Sequence, residues 1–579
     1  MARFDTIIRN GTVIDGTRSP RFRADIGIRD GRIESIAPEG LSRSDAGIVL
    51  EAEGHVVAPG FIDLHTHYDA QIQWDPYCTL SGWHGVTSLV VGNCGFGFAP
   101  VRPEDRDRAM LSMSRVEAVP FESMKQGMLW DWESFPQWLD SLERIPKGVN
   151  VLSYVPIAPI MIYVMGLEAA KARAPTVAER AEMCRLLDEG LEAGGCGWST
   201  QRLGDGFTSV QRDYDGTPMV TDLMDDETCL AFADVLRRRG EGFIQLTQAK
   251  DRVEEDMKAV EALAARSGCP VLFNVVQVNN YHPHQHRRFL KWIEAAQARG
   301  HQVYGQSVST GNDLTYTFED FNLLDGQPDW RDVTLGTVAE RRSKMMDPVR
   351  REALRQDYDH GRMPVATGPV RFFRVQETAK SENRRWEGLT IQELGEAQGR
   401  HPIDAFLDLV VDEDLKTTIF TPAFNDDPDL MGEIYASEYT IPGVSDGGAH
   451  TKFVTLGRYT TEFLATHCRD RGLMTLEEAH YRLSALPARA AGFRDRGVLA
   501  EGRPADVVVY DLDRLACTPA QITRDFPGGE WRRVQKAVGY RYIMVNGTVT
   551  FEDGACTNAT PGALLRHGRS TGATPSAAA

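Results

Sequence analysis

The sequence predicts an α/β fold: a (β/α)8 TIM barrel joined to a small composite β-sandwich built from both chain ends. Three observations lead there. Short apolar runs alternate with long amphipathic stretches through the middle of the chain, the pattern of βα units around a parallel sheet. Turn-punctuated β-branched segments of one style occur near both ends. At 579 residues the chain is also long enough for one large barrel with an accessory unit.

The N-terminal runs "DTIIRNGTVIDG" and "ADIGIRDGRIESIAP" are broken at Asn10-Gly11 and Asp30-Gly31, dipeptides suited to tight hairpin turns. The C-terminal runs "ADVVVYDLD" and "YRYIMVNGTVTFEDG" repeat the style, with Asn546-Gly547 and Asp553-Gly554 at the turns. Either piece alone would leave an apolar face uncovered, so residues 1–59 and 490–560 are expected to build one sandwich. Between them, over 60–489, eight candidate strands fall at 60–67, 86–95, 149–156, 195–203, 242–248, 270–278, 302–310 and 439–450. Eight parallel strands imply a closed barrel with functional residues at the C-terminal strand ends. Helices are expected in "TVAERAEMCRLLDEGLEAG", with Ala178, Ala181, Leu186, Leu187 and Leu191 near one face, and in "DRVEEDMKAVEALAARSG", ending at Gly268. About 130 residues separate strands seven and eight, so 311–438 reads as an inserted lid or subdomain, and 561–579 as a flexible tail.

Composition narrows the function. No apolar run is long enough to span a membrane, and the N-terminus carries charge where a signal peptide would need an apolar stretch. Nine cysteines without a CxxC pair argue against a disulfide framework and fit a reducing, cytoplasmic setting. A net charge of −18 offers no basic surface for nucleic acid or anionic lipid, which leaves a small-molecule substrate as the expected partner and a homo-oligomer open.

The chemistry concentrates at the predicted strand ends. His65 and His67 in "GFIDLHTHYDAQ" are two apart, so in extended backbone they share a face and can reach one ion, at about 2.0–2.1 Å if it is zinc. Asp446 in "GVSDGGAH" ends strand eight, the neighbour of strand one in a closed barrel, where a carboxylate can ligate the same ion or take a proton from water. A turn aspartate before two glycines is the plainer reading of that motif alone. Cys94 in "VVGNCGFGF" ends strand two and is a candidate thiolate ligand, against the usual role of buried cysteine as filler. His450 either contacts substrate or caps the following helix. Weaker substrate-contact candidates are Tyr68, Arg202 beside Gln201, Gln248, Asn274, and His282 in the loop "NNYHPHQHRR" with His284 and His286, a loop more simply read as exposed polar chain. Arg202, or Arg212 beside Asp213 in the loop beyond, could clamp a carboxylate or stabilise an oxyanion, although surface pairing with Asp205 or Asp215 is the simpler account.

The motifs "APGFIDLHTHYD", "GNCGFGFAP", "RRWEGLTIQEL" and "VSDGGAH", with the flanking segments, resemble the N-acyl-D-amino-acid deacylase (D-aminoacylase) branch of the amidohydrolase superfamily over roughly residues 3–555. The resemblance implies a metal-bearing barrel whose active-site residues are here His65, His67, Cys94 and Asp446. It also implies histidines at the ends of strands five and six, where this chain reads "IQLTQAK" and "FNVVQVN" and aligns Gln248 and Val275, flanked by Asn274. After strand three the branch has a polar histidine and arginine segment, and this chain has the apolar "YVPIAPIMIYVMG". The expectation is therefore a one-zinc hydrolase of an amide or related C–N bond in a small, largely apolar acyl compound, with Asp446 as general base. Lactone opening, decarboxylation or carbon–carbon cleavage on the same scaffold, and a catalytically silent binding barrel, are the alternatives.

Overall fold

A computed structural model describes residues 2–206, 209–250, 252–320, 324–362, 364 and 367–567. Its central strands are β1 (Phe61–Asp63), β2 (Val86–Val91), β3 (Asn150–Ser153), β4 (Gly197–Arg202), β5 (Phe243–Gln248), β6 (Val271–Val276), β7 (Val303–Ser307) and β8 (Thr440–Pro442). All pair in parallel: β1 with β2 and β2 with β3, then the short strand Val155–Pro156 with β4, and on in order through β5, β6 and β7 to β8. The two sheets meet twice. Cys196, just before β4, donates its N–H to Ser153 O in β3 at 3.0 Å, and beyond β8 the His67 N–H reaches Gly447 O at 2.6 Å beside a Thr66–Gly447 bridge. Strands such as "VTSLVV" and "GWSTQR" are buried along their whole length, as parallel strands covered on both faces must be.

One apolar cluster draws on or beside every central strand: Ile62, Val90, Leu152, Cys196, Phe243, Leu272, Tyr304 and Ile441. The helices cover the outside. Val177–Ala193 opens on a Thr176–Glu179 capping box and ends at Gly194 in the left-handed conformation, and Val253–Ser267 ends at Gly268 in the same way. The buried stripe of the first is Met183, Leu187, Gly190 and Leu191, while Ala178 and Ala181 are exposed, because the larger side chains decide which face turns inward.

Both chain ends enter one nine-stranded sheet, in which Val507–Tyr510 lies antiparallel between Val56–Pro59 and Tyr540–Val545. Period-two alternation sorts its side chains. Val507 and Val509 enter a core with Ile8, Ile26 and Val57, while Val508 and Tyr510 join the main core around the central strands.

Between β7 and β8 the chain builds a three-stranded antiparallel sheet (Leu314–Tyr316, Thr418–Thr421, Arg374–Glu377) and five helices between Pro328 and Asp412. Their core includes Phe318, Trp330, Phe406 and Ile419, and it extends to Ala118, Phe453 and Val454. The helix Pro428–Ala436 belongs elsewhere, since Met431, Ile434 and Tyr435 pack into the main core. The tail also differs from expectation. Residues 561–567 are docked: Ala563 O accepts from Val151 N–H at 2.9 Å, Leu565 N–H donates to Val151 O at 2.8 Å, and Leu565 fills the central cluster. An apolar Leu-Leu pair paired to β3 carries this segment, which the small polar residues around it conceal in sequence. Residues 568–579 lie outside the described chain.

Candidate metal centre

His65 and His67 leave β1 on the same side, with ring centroids 5.6 Å apart, and both are buried. Cys94 sits in the turn Asn93–Gly95 after β2 at φ 57°, with its Sγ 3.5 Å from His65 Nε2. One donor atom from each of His65, His67 and Cys94 lies within 4.8 Å of the other two, and this trio is the metal-compatible cluster found among the described residues. Asp446, at φ 44° beyond β8, brings Oδ1 to 3.2 Å from His65 Nε2 and 3.9 Å from His67 Nε2. The two glycines that follow are required by close approach. A Cβ on Gly447 would stand 2.6 Å from the Tyr68 ring, and one on Gly448 2.7 Å from His67 O.

A further carboxylate stands here that sequence reasoning missed. Glu117, at the end of the helix Arg106–Val116, is fully buried, with Oε1 3.8 Å from His67 Nε2 and Oε2 3.2 Å from His450 Nε2. Neither Oε1 nor Oε2 has a hydrogen-bond partner, nor does His67 Nδ1 or His450 Nδ1. Its sequence signal is slight: one acid in the otherwise apolar run "VEAVPF".

The electrostatics follow from burial and mutual contact. Burial opposes ionisation of Asp446, but the hydrogen bond to His65 and the charges of His65, His67 and His450 override it and hold its carboxyl far below the ordinary range. Burial likewise opposes protonation of His65, yet Cys94 and Asp446 raise it well above the usual imidazole value. At His67 burial outweighs the raising effect of Asp446 and pushes it down to about 3, and His450 is lowered in the same way. The Cys94 thiol and the Glu117 carboxyl are raised by burial.

The remaining wall is neutral. Gln245 Oε1 accepts from Cys94 N–H at 2.6 Å, Gln245 Nε2 donates to Asn274 Oδ1 at 2.7 Å, and Asn274 Nδ2 donates to Thr247 Oγ1 at 2.6 Å. Thr247 Oγ1 lies 3.6 Å from Cys94 Sγ, and Gln306 Oε1 lies 3.5 Å from His65 Nδ1. The residues that β5 and β6 present to the centre are therefore Thr247 and Asn274, one position before the Gln248 and Val275 expected from sequence. Strand alternation turns Gln248 outward, where it donates to Asp256 Oδ1 at 2.7 Å.

Other candidates are placed away from the centre. Arg202, the ladder partner of Gln248, points outward too and is held by Asp226 and Met224 O. The Tyr68 hydroxyl is engaged by Ser81, 2.9 Å from its Oγ. His282 and His284 are exposed, and His286 is buried against Glu433 at 2.9 Å. Arg212 folds its own loop by donating to Ser209 O, Asp205 O and Gly206 O, and Asp213 is paired with Arg108 and Lys171 rather than lying at the surface. His450 is at the centre, its backbone N–H donating to Glu117 O at 2.7 Å and its Nε2 3.2 Å from Glu117 Oε2. A mainly apolar cavity, reaching Phe96 and Val116, chain neighbours of Cys94 and Glu117, is lined also by Val101, Met113, Ala158 and Ile162, the last two from the helix Ile157–Met165 that follows β3, with Asp105 and Arg108 in its wall.

The sequence profile of the amidohydrolase family matches residues 49–551. An N-acyl-D-glutamate deacylase of Alcaligenes xylosoxydans xylosoxydans is 28% identical over 581 residues, 99% of each chain. An uncharacterized protein of Mycobacterium tuberculosis is 28% identical over 98% of this chain and 96% of its own. Among solved structures, N-acyl-D-glutamate deacylase from Bordetella bronchiseptica, complexed with zinc and a phosphonate mimic of the tetrahedral intermediate, has a TM-score of 0.67 at 24% identity, over 97% of this chain and 100% of that one. A crystal structure of D-aminoacylase has a TM-score of 0.66 at 23% identity with the same coverage. These structural likenesses establish a shared α/β fold.

Proposed function

The chain belongs to the amidohydrolase family, in its D-aminoacylase-like branch of hydrolases acting on non-peptide carbon–nitrogen bonds, and from that premise we propose that it cleaves the amide of a small, largely apolar N-acyl compound at a one-zinc centre. The observation that carries the reading is the convergence of His65, His67, Cys94 and Asp446 from three separate segments onto one buried point. A closed (β/α)8 barrel is the architecture that brings them together. The Thr66–Gly447 bridge and the core contributed by every strand support that closure and put the four residues beyond the C-terminal strand ends.

The donor set suits zinc. Imidazole and thiolate are its common ligands, and the buried Glu117 oxygens make no hydrogen bond. When bound, zinc supplies Lewis-acid polarisation of the substrate carbonyl and lowers the cost of ionising water. The protein's own groups do the rest. Asp446, with Oδ1 3.2 Å from His65 Nε2 and 3.9 Å from His67 Nε2, is the carboxylate placed to take the proton of the attacking water and return it to the departing nitrogen. Gln306, at His65 Nδ1, orients that ring so that Nε2 faces Cys94 and Asp446. The neutral Gln245–Asn274–Thr247 chain, bonded to the Cys94 N–H, fixes the turn that carries the thiol. The apolar cavity beside the centre supports an apolar acyl group. The charged groups in its wall, Asp105 and Arg108, come from the opposite segment and not from Ile157–Met165.

Zinc-loaded protein incubated with N-acyl amino acids of increasing acyl length is the test. Free amine should appear, with kcat/KM rising with acyl length, and Ala158→Phe should narrow the cavity and depress turnover of long acyl groups more than of acetyl. Release of carbon dioxide or an aldehyde without amine would overturn the hydrolytic reading.

A further inference from the structure

The donors at the centre form a spatial series. Cys94 Sγ to His65 Nε2 is 3.5 Å, His65 Nε2 to Asp446 Oδ1 3.2 Å, Asp446 Oδ1 to His67 Nε2 3.9 Å, and His67 Nε2 to Glu117 Oε1 3.8 Å. Ligand bonds of about 2.0–2.3 Å in tetrahedral array separate neighbouring donors by roughly 3.3–3.6 Å. Each neighbouring gap is near that spacing, while His65, His67 and Cys94 are the trio mutually within 4.8 Å and Glu117 stands at its His67 edge. Glu117 ends the series on the side away from Cys94.

Three features make Glu117 a placed donor rather than an incidental acid. Its side chain is wholly buried, neither oxygen makes a hydrogen bond, and the imidazoles of His67 and His450, 3.8 and 3.2 Å away, are its only ion-pair contacts among the described residues, an arrangement costly for a carboxylate that meets no cation. The nearest guanidinium in sequence is committed elsewhere, since Arg115 is paired with Asp325 at 2.5 and 2.9 Å. Its backbone is also anchored on both sides. The Glu117 N–H closes the helix onto Met113 O, its carbonyl accepts from His450 N–H at 2.7 Å, and Ala118 is locked into the core of the insertion. The opposite wall offers no comparable ligand, because the groups of Gln245, Asn274 and Thr247 are consumed by one another.

We propose that Glu117 is a ligand of this metal centre, presenting Oε1 beside His67 while Oε2 rests against His450. The inference rests on the zinc-dependent reading above, and it assigns the insertion between β7 and β8 a part in building the site, through Ala118 and Phe453.

The test is equilibrium zinc binding by competition with a chromogenic chelator, together with cobalt(II) absorption of metal-free protein, for wild type, Glu117→Gln and Glu117→Asp. Glu117→Gln should weaken zinc binding at least tenfold and change the visible cobalt bands, while the near-ultraviolet thiolate band from Cys94 persists. Glu117→Asp, which keeps the charge but retracts it, should also weaken binding and gives the same readout should the glutamine variant fail to fold. Zinc affinity within twofold of wild type and an unchanged cobalt spectrum in either variant would overturn the assignment of Glu117 alone. A wild-type protein that binds no zinc would overturn the metal-dependent reading itself.

Discussion

The centre has two unlike halves. On the side of β1, β2 and the loop after β8 stand the buried His65, His67, Cys94 and Glu117 with the partly exposed Asp446, ionisable groups crowded together. On the side of β5, β6 and β7 stand Gln245, Thr247, Asn274 and Gln306, neutral groups of which the first three saturate one another with hydrogen bonds. The difference separates reactivity from rigidity. Buried ionisable groups are destabilising unless they share protons or a cation, so their clustering points to chemistry, whereas a satisfied amide network holds geometry without titrating. The first half should therefore govern metal and turnover, and the second should govern stability.

Four experiments press on that contrast, in descending size of effect. His67→Ala should remove bound zinc and lower kcat/KM for an N-acyl substrate by at least about 10³-fold, as should dipicolinate treatment of the wild type, with activity restored to the latter by zinc. Elemental analysis and single-substrate kinetics check it, and undiminished turnover in metal-free protein would erase the distinction between the halves.

Next comes a titration effect on the structural side. Asp222, buried after β4, accepts from Leu203 N–H, Gln201 and Ser209, and burial raises its carboxyl to about 6. The native state thus holds this proton more tightly than the unfolded chain. The stability it contributes is fully present below about pH 4 and is lost as pH rises through about 6, a change of up to roughly 3 kcal/mol. Asp222→Asn should flatten urea-denaturation stability over that window while leaving zinc affinity unchanged.

A smaller loss is expected for Asn274→Ala, which strands Gln245 and Thr247 and should cost roughly 1–3 kcal/mol of unfolding free energy with zinc stoichiometry intact. Loss of metal in that variant would show that the neutral half is not merely scaffolding. The smallest effect belongs to the paired change His282→Ala and His284→Ala on the exposed loop after β6, for which metal content and kcat/KM should stay at wild-type values.

How much of this was legible in the chain differs from residue to residue. His65, His67 and Cys94 are readable because short-range geometry suffices: two positions along extended backbone share a face, and a strand end aims its last residues at one rim. Asp446 required the assumption that strand eight returns to strand one, which the Thr66–Gly447 bridge supports. Gln248 was misread for Thr247 by a single position, and in a strand one position reverses the face. Arg202 fell to the same rule. No helix among the described residues is long and apolar enough to cross a membrane, in keeping with the hydropathy of the sequence.

Glu117 and the docked tail were not legible, for one shared reason. Each is defined by partners hundreds of residues away: Glu117 by His450, and Leu565 by Val151. Local pattern records the cost of a side chain's immediate surroundings, and it is silent on contacts whose closure depends on the path of the whole chain. The sequence by itself determined the alternation of strands and helices, the family motifs and the histidine pair. The tertiary structure alone decided which oxygen atoms stand unpartnered beside those histidines, because burial and distance are properties of packing that no single segment carries.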